Sequence, residues 1–465
     1  MVISPGTRRV VVVGADAAGM SAAHQALRTA RRRGTEIAVT VLEAGRHTSY
    51  SACGIPYWVA GDVASSEDLV ARTAAEHRAA GIDLRLATTA VELDLATRTV
   101  VSDAGDRVPF DDVVLATGAA PVVPGWAMDD RGRPVPGVRP VKTLDDGQAW
   151  IDLLTATAPG PRRAVVVGGG YIGLEMAEAF ARRGLDTTIV TRGELMSSLD
   201  PDMGARLREQ VAKSGVTVHC QDVVDGLVTG PGGSVRAVTA GGQEIPADVV
   251  ALGTGVRPRS DLGAAAGLPL GRAGGYLPDP QQRVAEGVWA AGDCVEPVTR
   301  THGTRVFVPL GTHAVKQGRV AGTVLAGGEA AFGGVIGTAV TRFVVGGVHV
   351  EIGRTGPTGG QLAGLDLEVA SLVTESTTAS GYMPEAAPIA VKVTAAAAGS
   401  DRGRLLAVQI VGGPGSAKRI DTAAAAVWFG ATVADVAGMD LSYAPPFSPT
   451  WDPVQIACRR LAERL

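Results

Sequence analysis

The chain has 465 residues and a formal net charge of −4, from 43 Lys and Arg against 47 Asp and Glu. That length exceeds one compact core and predicts two or three domains, while the charge excludes a global basic field for nucleic acid or anionic lipid. Four widely spaced cysteines give neither a disulfide framework nor paired metal-ligand spacing, and no apolar stretch reaches about 18 residues without a charge or turn. A cytoplasmic protein with no membrane, nucleic acid or metal partner is expected.

Arg8-Arg9 followed by Val10 to Val13 is too short an apolar run for an export signal and reads as a first strand. It enters Gly14-Ala15-Asp16-Ala17-Ala18-Gly19, an alanine-rich helix to about Arg33, and a strand from Ile37 to Leu42 that ends at Glu43. A strand, glycine turn and helix start make a pyrophosphate site, because the backbone approaches closely and the helix dipole favours negative charge. An acid closing the second strand then binds ribose hydroxyls. Asp16 replaces the middle glycine here, so the fingerprint rests on its position and on Glu43.

Cys53 follows, in Tyr50-Ser51-Ala52-Cys53-Gly54-Ile55-Pro56-Tyr57. A thiol there can face a flavin. Cys220, Cys294 and Cys458 are all remote in sequence, so an oxidised partner is expected from outside the chain, as a small thiol or as oxygen in a sulfenic acid.

Val113 to Ala116, Thr117 and Gly118 read as a buried strand ending in a small-residue turn, and the Pro- and Gly-rich stretch Pro121 to Pro140 reads as a linker. The first pattern then recurs. Ala164 to Val167 runs into Gly168-Gly169-Gly170-Tyr171-Ile172-Gly173, a helix to about Arg183 and a strand from Thr187 to Val190. That strand ends in Thr191-Arg192 where an acid would favour NADH, so NADPH is preferred over NADH; Arg192 as a solvated loop charge is the alternative. Val249 to Gly255 repeats the small-residue turn, and Val288 to Ala290 reads as a return strand before Gly292, Asp293 and Cys294. Asp293 could bind a flavin ribityl hydroxyl or cap the next helix. Cys294 reads as a buried small residue.

The fold class is therefore α/β, with two nested Rossmann-like dinucleotide-binding domains and a C-terminal α+β domain. Residues 1–118 and 250–332 form the first, 119–249 the second and 333–465 the third. In the third, β-branched stretches at Thr338 to Val350, Ile389 to Thr394 and Leu405 to Val411 predict an antiparallel sheet, with a helix over Ser416 to Phe429.

With Cys53 in its Ser-x-x-Cys-Gly context, these fingerprints and the terminal Ser442-Tyr443-Ala444-Pro445-Pro446-Phe447-Ser448-Pro449, the chain resembles the single-cysteine flavoprotein disulfide reductases. Within them it is most similar to coenzyme A-disulfide reductases; NADH oxidases, peroxidases and CoA-persulfide reductases are relatives. The likeness extends over Pro309-Leu310-Gly311, Lys316 to Gly322 and Trp451-Asp452-Pro453. It implies FAD in the first domain, a nicotinamide in the second, and a homodimer whose shared site receives Tyr443 from the partner subunit. Tyr443, and Tyr382 with it, would protonate a departing thiolate; a rigid interface strap is the other reading of the Tyr443 segment.

Two points favour the coenzyme A branch. The oxidases and peroxidases usually carry a His in the first glycine turn, where this chain has Ala17. Family members that bind coenzyme A place polar residues where Ser21, Gln25, Arg28 and Ser49 stand here, although Gln25 and Arg28 also suit the exposed face of an alanine-rich helix. Departures are Ala52, where Asn is frequent, and Tyr382-Met383-Pro384 in place of Tyr-Tyr-Pro. These leave open coenzyme A disulfide, a persulfide or polysulfide, oxygen or peroxide through a sulfenic acid, and a flavin-bound redox sensor. No rhodanese-like sulfur-transfer domain is expected after Leu465.

Overall fold

Val10 to Val13 are all buried. A strand apolar on both faces belongs inside a parallel sheet, and each such valine contributes roughly 1.5–3 kcal/mol. The computed structural model, which describes residues 7–156 and 160–465, places Arg8–Val13 within a six-stranded sheet. Ile37–Leu42 and Asp112–Leu115 flank it in parallel; Ile82–Arg85 and Val288–Ala290 extend it, and Arg283–Ala285 closes one edge antiparallel.

The chain divides into two units. One runs to Ile55 and adds Val63–Val122 and Val256–Val335; the other takes Pro56–Asp62, Val123–Gly255 and Ile336–Leu465. Residues 119–249 and 333–465, separate domains in the sequence reading, thus fall mostly in one unit.

In the first unit, helix Ala17–Arg33 ends at Gly34, left-handed at φ 68°, after three arginines that complement its C-terminal dipole. Helix Gly311–Leu325 packs on it backbone to backbone: a Cβ at Gly318 would lie 2.2 Å from the Ala18 carbonyl oxygen, and one at Gly322 2.2 Å from that of Ala22. Strand Ala119–Pro121 pairs antiparallel with Val256–Pro258, so the chain leaves and re-enters this unit along one ribbon.

The second unit holds a parallel sheet ordered Thr217–Cys220, Asp186–Thr191, Arg163–Val167, Val249–Leu252 and Val138–Pro140. Its edge strand Val138–Pro140 lies in the stretch expected to be linker; three residues of pairing to Val250–Leu252 suffice to order it. The antiparallel sheet expected near the C-terminus has five strands: the hairpin Ala339–Val345 with Val348–Thr355, then Leu405–Gly412, Pro388–Ala396 and Val369–Thr377. Helix Ile420–Phe429 starts four residues later than expected, because Ala417–Arg419 winds first as a 3₁₀ turn. Among the described residues, no helix is long and apolar enough to cross a membrane.

Candidate active site

The two glycine turns are the same steric device. Gly14 has φ 106° and Gly168 has φ 107°. A Cβ on Gly14 would lie 2.2 Å from the Ala116 carbonyl oxygen, and one on Gly168 2.2 Å from that of Gly253. A Cβ on Gly19 or Gly173 would stand 1.9 Å from the carbonyl oxygen of Gly14 or Gly168. Neither cradle admits a side chain at these places.

The donors are also prepared. Helices Ala17–Arg33, Tyr171–Arg182 and Gly311–Leu325 start with no side-chain cap and no acid in the first turn. By contrast, Thr73, Thr143, Thr358 and Thr432 close their helices with reciprocal capping boxes. Uncapped helix starts behind glycine turns suit a phosphate-bearing ligand. They fit a dinucleotide in each cradle.

In the first unit the Glu43 carboxylate accepts from the backbone N–H of Ala15 and of Gly45, each at 2.7 Å. Each oxygen keeps a lone pair for a ribose hydroxyl. Ala116, Thr117 and Gly118 lie across from Gly14, with the Thr117 hydroxyl bonded to the Arg259 carbonyl. Gly292, at φ 90°, reaches Ala18: a Cβ there would be 2.9 Å from the Ala18 Cβ. Its N–H donates to Gln317 Oε1 at 2.8 Å, which sets Asp293 beside the helix that begins after Pro309 and Leu310. Ala18, Gly292 and Ala314, on the first turn of the helix that starts at Gly311, are thus brought together.

The chain segment ahead of Cys53 is tied to the same turn. The Thr48 hydroxyl donates to the Ala15 carbonyl at 2.6 Å and the Ser49 N–H to the same oxygen at 3.2 Å. Cys53 itself sits in the 3₁₀ turn Ala52–Gly54 and is exposed. Gly54 lies against Leu69, whose Cδ2 would be 2.3 Å from any Cβ there. The other thiols are unfit for exchange. Burial pushes Cys294 up to about 11 and Cys458 up to about 12. Burial, then donation to Glu194 Oε1 at 3.1 Å, pushes Cys220 up to about 11. Cys53 is the one exposed thiol among the described residues.

On the first helix, Ser21 abuts Gly318, while Gln25 is buried. Gln25 donates to the Thr29 hydroxyl at 3.2 Å and accepts from Arg28 at 3.0 Å. Arg28 is exposed, as an exposed helix face requires, whereas Gln25 is buried and departs from that reading.

In the second unit Gly170 has open space at its Cα, Tyr171 and Ile172 begin the helix, and Gly255 ends the facing turn at φ 94°. The Tyr171 hydroxyl is buried near Ser198, and burial raises its pKa. Thr191 is buried and pairs across the sheet with Cys220, whereas Arg192 is exposed. The acid two residues on, Glu194, is engaged by Arg208 at 2.8 Å as well as by Cys220.

One group escaped the sequence reading. Glu175, on the turn after Tyr171, is pushed up to about 7 by burial, although it accepts from the Thr341 hydroxyl at 2.9 Å. Its apolar helical spacing gave no signal, because Thr341 lies far along the chain. The native state holds more protons than the unfolded chain between the ordinary carboxyl value of 4.5 and about 7. Its contribution to stability therefore falls as pH rises through that window and is level above it. Glu175→Gln should leave urea stability at pH 5 nearly unchanged and raise it at pH 8, by on the order of 2–3 kcal/mol. Equal shifts at both pH values would refute this.

Tyr382 and Tyr443 are both exposed. The nearby hydroxyls of Thr450, Ser380 and Tyr382 hold the Tyr443 phenol below its usual range. Arg419 fixes this segment, donating to the Phe447 carbonyl at 2.6 Å and pairing with Asp452. Phe429, Phe447 and Trp451 are exposed in the same unit.

Comparison with known proteins agrees with this geometry. The pyridine nucleotide-disulphide oxidoreductase family matches residues 8–318, and its dimerisation domain matches residues 344–453. A Pyrococcus horikoshii protein described as an NAD(P)H coenzyme A polysulfide/persulfide reductase is 35% identical, covering 98% of each chain. An NADH oxidase of Methanocaldococcus jannaschii is 31% identical, over 98% of this chain and 99% of its own. Among solved structures, an NAD-dependent persulfide reductase from A. fulgidus superposes with a TM-score of 0.90 at 31% identity, over 98% of this chain and 83% of that one.

Proposed function

The chain belongs to the pyridine nucleotide-disulphide oxidoreductase family and is an NAD(P)H-dependent flavin oxidoreductase; from that premise we propose that it reduces a sulfur–sulfur bond carried by coenzyme A, as disulfide or persulfide, through Cys53. The observation that carries this reading is the one exposed thiol among the described residues, which follows within five residues of Thr48, the residue bonded to the first glycine cradle.

On this reading residues 1–118 and 250–332 hold FAD, 119–249 hold the nicotinamide, and 333–465 make the homodimer. Gly14, Ala18, Gly19 and Gly311 offer backbone to the FAD phosphates, and Glu43 accepts from its ribose. FAD bound there supplies two-electron transfer from the nicotinamide to sulfur. Cys53, as thiolate, attacks the sulfur attached to coenzyme A. The sulfur–sulfur bond breaks, and coenzyme A thiolate or hydrosulfide leaves with a proton that Tyr443, supplied by the partner subunit, donates with support from Tyr382. Two electrons from NAD(P)H reduce the mixed disulfide, freeing coenzyme A and restoring the thiolate.

Ser21, Arg28 and Ser49 are the residues we assign to coenzyme A, with the buried Gln25 holding the Arg28 guanidinium. Ala17, with no acid–base group, favours this substrate over oxygen or peroxide. The nicotinamide is NADPH: Arg192 is exposed for a 2′-phosphate, and the nearby carboxylate of Glu194 is already paired.

Intact mass of the oxidised protein before and after mild reduction tests the proposal. A loss of coenzyme A size mapped to Cys53 is expected. A loss of one oxygen would replace the proposal with a sulfenic acid cycle, and an unchanged mass would overturn it.

A further inference from the structure

Four side chains outside the cradle form a relay that ends four residues before Cys53. Arg72 NH1 lies 3.1 Å from His24 Nε2, His24 Nε2 lies 2.8 Å from His77 Nδ1, and His77 Nε2 lies 2.9 Å from Ser49 Oγ. Their proton directions follow from chemistry alone. A guanidinium only donates, so His24 Nε2 must be an acceptor. The proton of the second contact then belongs to His77 Nδ1, which shares the single lone pair of His24 Nε2 with Arg72, and a neutral His77 presents a lone pair at its own Nε2. The Ser49 hydroxyl must donate to it.

Ser49 is itself held in an unusual conformation, at φ 49°, which side-chain-bearing residues seldom adopt. Its N–H donates to the Ala15 carbonyl at 3.2 Å, and its carbonyl accepts from Ala71 at 2.8 Å. The backbone is fixed on two sides and the hydroxyl on a third. Strain of that kind persists where the surroundings impose it.

We infer that His77 is a positioning residue that commits the Ser49 proton inward, so that Ser49 offers only lone pairs to the substrate and selects an amide N–H of a pantetheine arm. The inference rests on the coenzyme A reading above. The electrostatics run the same way: burial, then the charge of Arg72, pushes His24 down to about 4, and the same two causes lower His77, which favours its neutral ring. His77 is buried, so it touches the substrate only through Ser49.

The test uses the holoenzyme with NADPH and two disulfides, coenzyme A disulfide and the disulfide of 3-mercaptopropionate, which has no N–H. In His77→Leu the KM for coenzyme A disulfide should rise about tenfold with kcat within about twofold, and KM for the small disulfide should hardly move. Ser49→Ala should show the same split, and the double variant should be no worse than Ser49→Ala alone. Arg72→Met, at an exposed position, should move KM in the same direction by a smaller factor, and it reads the relay even if His77→Leu fails to fold. Additive effects of His77→Leu and Ser49→Ala, or equal KM changes for both disulfides, would overturn the inference. Arg72→Met without effect, should His77→Leu not fold, would overturn it as well. A wild-type enzyme that does not turn over coenzyme A disulfide while reducing the small disulfide would instead sink the coenzyme A reading.

Discussion

Cys53→Ser should lower NADPH-dependent reduction of coenzyme A disulfide or persulfide by on the order of 10³-fold or more, while the protein stays yellow with bound flavin. A serine hydroxyl is far less acidic than a thiol and forms no disulfide, so neither attack nor the mixed intermediate survives. No other thiol can stand in. Cys294 and Cys458 are buried, and Cys220 is pushed to about 11 with its proton directed at Glu194. The fold should not suffer, because Cys53 is exposed and the exchange only replaces its sulfur by oxygen in a 3₁₀ turn. Turnover retained at even one-tenth of wild type, with flavin bound, would remove Cys53 from the chemistry.

Gly19→Ala should cost the flavin instead. The new methyl would stand 1.9 Å from the Gly14 carbonyl oxygen and 3.1 Å from Val12 Cγ1, and the first of these contacts is with backbone. No rotamer change can relieve it. The helix must draw away from the strand, which opens the cradle and costs about 1–3 kcal/mol. The expected preparation is colourless or weakly yellow, with a lowered Tm and at least about tenfold weaker FAD binding. Gly170→Ala makes the contrasting case, since a Cβ there meets open space at φ −82°. It should leave Tm within a degree or two of wild type and raise the KM for NADPH, because any obstruction comes from the ligand side. Matching Tm losses in the two variants would show that neither cradle is built as described.

The doubly wound architecture was legible because its strands are short and apolar on both faces, and because glycines punctuate each strand-to-helix turn. Ile37–Leu42 is bounded where the β-branched run begins and ends. Parts held by remote pairing were not. Val138–Pro140 reads as linker because a three-residue strand between prolines has no periodicity, and only Val250–Leu252 defines it. Val369–Thr377 alternates weakly and depends on Pro388–Ala396. Fingerprint residues could be found from spacing, since the cradle is local in sequence. The His24–His77–Ser49 relay could not, as its members are separated by 53 and 28 positions. A lone His on an alanine-rich helix carries no signal until its neighbour is known. The strained φ of Ser49 is equally invisible to composition.

The paired strands Ala119–Pro121 and Val256–Pro258 have a consequence for the order in which the protein is made. All strands of the inserted parallel sheet lie between Val138 and Leu252, so that sheet is complete in sequence before its host. The host sheet waits for Val288–Ala290, and its first helix waits for Gly318 and Gly322. On the ribosome, where segments fold as they emerge, the inner sheet can close while the outer one still lacks a wall. Gly292, Gly311, Gly318 and Gly322 all follow Leu252, so the outer glycine cradle gains its last wall only after the inner one is complete in sequence.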